Sequence, residues 1–351
     1  MLAAPRGRLS AFGRPGGTEV NTRRIGPFQV STIGLGCMNL SHAYGAPPSV
    51  ADAERLLLEA FERGITLFDT AALYGFGSNE MLVGRVLKAQ RSKIVLATKG
   101  GMAGVTFPDG VKRVIDGRPD AIRRNCEDSL QRLQTDAIDL YYLHRWDKRV
   151  PIEDSVGAMA DLLREGKVRS LGLSEVSATT LRRAHAVHPI AAVQSEYSLW
   201  TRNPELGVLQ ACRELGTAFV AFSPVARGFL ASGMPEVDKL DTKDIRRSLP
   251  RFQREHATAN QGLLPGYGVI ARAAGCTPAQ LALAWLLARG DQVIPIPGTT
   301  RVEHLHDNLG AVDVQLSADT ITLLDALINQ RTVRGARYPR ASQDEIDTEE
   351  F

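Results

Sequence analysis

From residue 25 onward, short apolar runs alternate with longer segments whose apolar positions recur every three or four residues. Eight such runs stand out, at 32–36, 65–68, 94–97, 138–142, 168–173, 191–193, 218–221 and 292–295. Runs this continuous and this rich in β-branched and aromatic residues suit strands covered on both faces. Helix patterns lie between them. The segment 52–63 places Leu56, Leu57, Ala60 and Phe61 on one face, and 119–133 opens with Pro119 and repeats Ile122, Cys126, Ser129, Leu130 and Leu133. Segments 152–164, 178–187, 204–215 and 278–288 behave alike, and Gly64, Gly166, Gly216 and Gly290 supply helix stops. Eight strands alternating with helices predict parallel βαβ units.

The choice between a closed barrel and an open dinucleotide-binding sheet turns on the glycines. The first run ends Gly34-Leu35-Gly36-Cys37-Met38-Asn39, which is not G-x-G-x-x-G, and Gly75-Phe76-Gly77-Ser78-Asn79-Glu80 fails at its last position. A (β/α)8 barrel of the TIM type is therefore expected. One interval, 223–291, is too long for an ordinary barrel connection. It reads as a loop over 231–262, a short helix over 263–274 and the regular helix from 278. A further amphipathic helix is expected near 318–329, followed by a polar, loose C-terminal tail over 331–351. Residues 1–24 read as a flexible N-terminal extension and 25–330 as one barrel domain.

Composition narrows the partners. Across 351 residues the formal charge is only +3, with no long basic run, so no nucleic-acid partner is expected. No apolar run reaches the ~18–20 residues that span a bilayer, so no membrane partner is expected either. Cys37, Cys126, Cys212 and Cys276 form neither a C-x-x-C pair nor a metal-ligand spacing with histidine, which suits a reduced, cytoplasmic protein. Five arginines (Arg6, Arg8, Arg14, Arg23, Arg24) mark the start of the chain, but without the amphipathic period of a transit peptide. The oligomeric state leaves no mark in the sequence.

Barrel enzymes keep their chemistry at the C-terminal ends of the strands. Strand two ends in Asp69, strand three in Lys99, strand four in His144, strand six in Gln194 and strand seven in Phe222-Ser223. Charged groups directly after apolar runs demand partners, so Asp69 and Lys99 are expected to pair. Tyr74 follows five residues after Asp69. A phenol beside an ammonium has its pKa drawn down, which suits a general acid for a carbonyl oxygen. His144 can donate a second hydrogen bond to that oxygen. Taken singly, each has a plainer reading: a structural aromatic, a surface lysine, a turn aspartate, a core histidine. Their placement at successive strand ends argues for one site, and no metal is required.

These residues, with the motifs around them, resemble the aldo-keto reductase superfamily over roughly residues 24–311. The motifs are Phe68-Asp69-Thr70-Ala71 with Tyr74-Gly75, Asn79-Glu80, Thr98-Lys99-Gly100, Leu143-His144-Arg145-Trp146-Asp147, Gly172-Leu173-Ser174-Glu175, Gln194-Ser195-Glu196-Tyr197-Ser198, Ser223-Pro224 with Arg227-Gly228-Phe229-Leu230, and Ile296-Pro297-Gly298-Thr299 through Asn308. Arg227-Gly228-Phe229-Leu230 and Pro250-Arg251-Phe252 look like the branch of reductases acting on pyridoxal and aryl aldehydes. The resemblance implies an α/β (β/α)8 barrel with an N-terminal β-hairpin and extra C-terminal helices. It implies reduction of an aldehyde or ketone with NADPH, returning NADP+. Tyr74 would be the proton donor, Asp69 and Lys99 its tuning pair, and His144 the carbonyl-orienting group. Ser174 and Gln194 would bind the nicotinamide carboxamide, Asp69 would lie near its ribose, and Phe222 would stack on the ring. Ser223, Val225, Arg227 and Gly228 would wrap the pyrophosphate. Gly298, Thr299, Thr300, Arg301, Asp307 and Asn308 would hold the adenosine half, with His304 as a further contact. Thr300 stands where several relatives carry lysine or arginine, so NADH is admitted as an alternative cofactor. Met38, Tyr74, Trp146 and the 231–262 loop would line a pocket for a small-molecule carbonyl substrate. The superfamily also contains cofactor-sensing regulatory subunits of ion channels, the alternative reading of the same tetrad.

Overall fold

The computed structural model describes residues 22–41 and 43–351. Its centre is an eight-stranded parallel sheet of β3 (Leu35–Gly36), β4 (Leu67–Asp69), β5 (Val95–Gly100), β8 (Leu140–Leu143), β9 (Leu171–Ser174), β10 (Ala192–Glu196), β11 (Ala218–Phe222) and β12 (Val293–Pro295), paired in that order. All eight strands fall on the expected runs. Two backbone bonds join the first strand to the last, Gly34 N–H to Pro295 O at 3.0 Å and Gly36 N–H to Pro297 O at 3.3 Å, and the sheet curls into a barrel. The approach is close: a Cβ at Gly36 would lie 2.8 Å from Ile296 O, so this seam admits no side chain.

Two short antiparallel hairpins flank the barrel. β1 (Thr22–Ile25) and β2 (Phe28–Ser31) form the expected N-terminal hairpin, and Ile25 and Val30 plug the barrel interior beside Leu67, Val95 and Ile294. The hairpin begins inside the segment expected as extension, because the Arg23 guanidinium is drawn in to the carbonyls of Leu287 and Val293. Arg6, Arg8 and Arg14 lie outside the described residues. β6 (Met102–Phe107) and β7 (Gly110–Ile115) form a second hairpin that the apolar pattern did not announce, since most of its side chains face water.

The outer ring comprises α1 (Val50–Glu62), α2 (Ser78–Leu87), α3 (Pro119–Leu133), α4 (Ile152–Arg164), α5 (Ala178–Val187), α6 (Val208–Leu215), α10 (Pro278–Leu287) and α11 (Val302–Leu309). The long interval is more ordered than a loop. It holds α7 (Phe229–Ser232), α8 (Arg254–Gln261) and α9 (Leu264–Ala273), with single 3₁₀ turns between, and α8 occupies part of the segment read as loop. After α12 (Ala318–Leu327) the tail does not hang free. It carries α13 (Arg340–Gln343) and docks on the barrel: Asp347 N–H bonds Glu175 O at 3.0 Å, Ile346 is buried, and Glu349 accepts from Ala178 N–H at 2.7 Å.

Strand alternation sorts the core into two shells. Leu67, Val95, Ala97, Leu140, Tyr142, Ala192, Ala218 and Val220 pack inside the barrel. Phe68, Leu96, Tyr141, Leu173, Val193 and Phe219 pack outward against the helices. Because side chains alternate with period two, the same parity carried to the strand ends turns Asp69, Lys99, Gln194 and Phe222 inward. The barrel floor is thus apolar and its upper rim polar.

Candidate active site

Above that rim lies a cavity of about 720 Å³, walled by the strand ends, the 223–232 turn, the start of α11 and the tail. The Lys99 ammonium is fully buried. It donates to Asp69 Oδ1, to Thr70 O at 2.9 Å and to the Tyr74 hydroxyl at 3.2 Å. The other oxygen of Asp69 accepts from Gln194 Nε2 at 2.8 Å. The resemblance assigned Gln194 to a carboxamide; the residue also lines the cavity while its amide holds Asp69. His144 is buried beside Tyr74, their ring centroids 5.9 Å apart and the planes 85° from parallel. The four residues expected at one site are therefore together.

The turn presenting Tyr74 is braced from below. Thr70 donates to Asn79 Oδ1 at 2.6 Å, and Asn79 Nδ2 donates to Cys37 O at 2.9 Å and to Ser41 Oγ at 2.8 Å. Thr98 donates to Glu80 Oε1 at 2.5 Å, and Glu80 pairs with Arg132 at 2.6 Å. Asn79 and Glu80 are fully buried polar residues whose groups all find partners, so the motif is a scaffold for the turn.

The electrostatics correct one expectation. Burial dominates at Tyr74 and, although the Lys99 charge opposes it, holds the phenol above its usual pKa of 10 rather than below. Burial also disfavours the Lys99 charge, but the adjoining Asp69 outweighs it with help from Tyr74, and the ammonium titrates above its ordinary value. The resting site holds a charged lysine and a protonated phenol.

The remaining predicted residues divide. Met38, Ser174, Phe222, Ser223, Val225 and Gly228 line the cavity, as do Gly298, Thr299, Thr300, His304, Asp307 and Asn308. Thr277, which caps α10, donates to Asp307 at 2.9 Å and fixes it there. Ser223 and Arg227 hold left-handed backbone conformations, φ 49° and 56°, strain of the kind that collects at ligand sites. Two residues depart from expectation. Trp146 is not in the cavity wall: β8 ends at Leu143, the chain turns, and the indole N–H donates to Val150 O at 2.8 Å beneath the Arg183 guanidinium. Arg301 is exposed and lies outside the wall, its N–H bonded to Thr299 Oγ1 at 3.1 Å.

Arg227 lines the wall but is engaged, donating to Glu196 Oε2 at 2.8 Å. Glu196 also accepts from Arg337 at 3.0 Å, and Arg337 pairs with Glu175 at 2.5 Å. Burial works against the Glu196 carboxylate, yet Arg227, Arg337 and Arg251 together draw its pKa down to about 2. Arg337 and its neighbour Tyr338, a cavity-wall residue, come from the tail. Nothing in a polar tail sequence signals that role; only the fold brings it there. Tyr44, Met102, Arg145 and Arg246 also line the cavity and were not singled out.

A cavity lined by the Ser174 hydroxyl, the Gln194 amide, the Phe222 ring and α11 residues such as Asn308 fits a dinucleotide. The family model for the Aldo/keto reductase family matches residues 32–329. Probable aldo-keto reductase 1 of Glycine max is 46% identical over 312 residues, 89% of each chain. The structure of a glycerol dehydrogenase from Gluconobacter oxydans superposes with a TM-score of 0.79 at 28% identity, covering 88% of this chain and 95% of that one. An aldo-keto reductase from Klebsiella pneumoniae in complex with NADPH superposes with a TM-score of 0.69 at 28% identity, covering 92% and 99%.

Proposed function

From the premise that this chain belongs to the aldo/keto reductase family, we propose that it is an NADP(H)-dependent carbonyl reductase of the alcohol dehydrogenase type, converting an aldehyde or ketone to an alcohol. The observation that carries the reading is the buried Asp69–Lys99–Tyr74 chain, which ends in a phenol facing the cavity. The cofactor of the Klebsiella pneumoniae relative is assigned here because the cavity offers matching groups. Ser174 and Gln194 would hold the carboxamide, Phe222 the ring, and Thr299, Thr300 and Asn308 the adenosine half.

Bound NADPH supplies hydride to the carbonyl carbon. The protein manages the oxygen. Tyr74 holds the proton that the developing alkoxide takes up, and the Lys99 charge stabilises the phenolate left behind. Asp69 keeps Lys99 charged in a buried position, and Gln194 fixes Asp69. His144, beside the phenol, orients the carbonyl oxygen toward it. Tyr74→Phe is expected to bind NADPH as the parent does and to lose turnover by roughly 10²–10⁴-fold. Fluorescence titration of NADPH and steady-state rates with an aldehyde panel check both halves. Near-parental turnover would refute the assignment.

A further inference from the structure

Among the described residues four arginines line the cavity, and the state of each charge separates them. Arg113 pairs with Glu345 of the tail at the mouth, Arg227 with buried Glu196, and Arg246 with Asp244 at 2.7 Å. Arg145 differs. Its guanidinium donates to His144 O at 2.7 Å and to Ser174 Oγ at 3.3 Å, both neutral acceptors. Among the described residues, no carboxylate lies within 4.0 Å of it.

Its surroundings make that charge consequential. Arg145 is half-buried, follows His144 directly and lines the same cavity as Met38, Leu73 and Met102, which cluster with Tyr74. It sits close enough for its charge to act on the Tyr74 phenol. A guanidinium presents five donors in a fixed fork that matches a carboxylate. Two neutral acceptors leave part of that fork unused, in a site with apolar walls where a charge pair is stronger than in water. Arg145 stands near the proton donor and directly after His144, at the end of the site where the carbonyl would be reduced.

We infer that Arg145 is a substrate-recognition residue and that the enzyme selects aldehydes or ketones carrying a carboxylate on the same small molecule. The inference rests on the reductase reading given above for the reaction, but not for the binding. The cavity supplies a proton donor and a carbonyl-orienting group for one end of such a substrate and a cationic fork for the other. The apolar side chains cover the carbon skeleton between them.

The test compares two substrates of one skeleton, 4-carboxybenzaldehyde and benzaldehyde, with NADPH. The parent enzyme is expected to favour the carboxylate by roughly tenfold or more in kcat/KM, a hydrogen-bonded charge's worth, and the ratio is expected to shrink with added salt. Arg145→Met should bring the ratio close to one, and Arg145→Lys should restore part of it. The ratio is decisive because a merely structural role, through Ser174 or Tyr74, would depress both substrates together. A parental ratio of one or less, or an unchanged ratio in Arg145→Met, overturns the inference. Calorimetric titration with 4-(hydroxymethyl)benzoate and with benzyl alcohol, in the presence of NADP+, reads the same contact without turnover. Equal binding of the two by the parent overturns it there as well. Absence of turnover with every aldehyde, beside carboxylate-selective binding lost in Arg145→Met, would sink the reductase reading and leave the carboxylate site standing.

Discussion

At the scale of single residues, Tyr74 is governed by two opposed influences, and depth decides between them. The Lys99 ammonium favours a phenolate, burial disfavours it more, and the phenol stays protonated past its usual pKa of 10. A general acid must be protonated to act, so its contribution is lost only when pH rises through that elevated pKa. Reduction of a neutral aldehyde should hold its kcat/KM between about pH 6 and 9 and fall only beyond about 10, which a pH–rate series checks. The Lys99–Asp69 pair is more costly to break than to replace. Lys99→Met leaves a buried carboxylate without its ammonium, with Gln194 still donating to it, and a loss of about 3–5 kcal/mol is expected in urea unfolding. Lys99→Met combined with Asp69→Asn should recover part of that stability and none of the turnover. The pair itself was legible in the sequence, because charges that end apolar runs need partners. The direction of the Tyr74 shift was not, because no spacing encodes how far a hydroxyl is removed from water.

Among the elements, the parallel strands were legible because both of their faces are buried, and their hydrophobic runs are unbroken. The β6–β7 hairpin escaped because its side chains mostly face water, and α8 escaped because its sequence, REHATANQ, lacks an apolar face. Trp146 marks the limit of reading strand parity past a strand's end. Two residues beyond His144 would face inward only if β8 continued, and it stops at Leu143. Helix packing offers a sharper check. Gly84 on α2 lies so close to α3 that a Cβ would come within 2.4 Å of Leu133 O, a backbone atom that cannot swing aside. Gly84→Ala should therefore cost about 1–3 kcal/mol or more, despite its better helix propensity, and thermal unfolding would show it.

Across the whole molecule, the tail joins regions that the barrel sequence leaves far apart. Arg337 links Glu175 at the end of β9 to Glu196 at the end of β10, and Tyr338 closes the cavity wall over Arg227. Glu196, with a native pKa of about 2 against 4.5 ordinarily, contributes stability that is complete above about pH 4.5 and fades as pH falls toward 2. Removing one of the cations around it shrinks that depression. Arg337→Met should be less stable at neutral pH by about 3–5 kcal/mol and should unfold in acid at a higher pH than the parent, as circular dichroism during acid titration would reveal. The same docking has a consequence for synthesis. A chain made from its N-terminus can close the barrel before residues 331–351 have been translated. The tail residues that finish the cavity wall emerge only after every barrel strand, so a nascent chain can possess the fold without yet possessing the complete pocket.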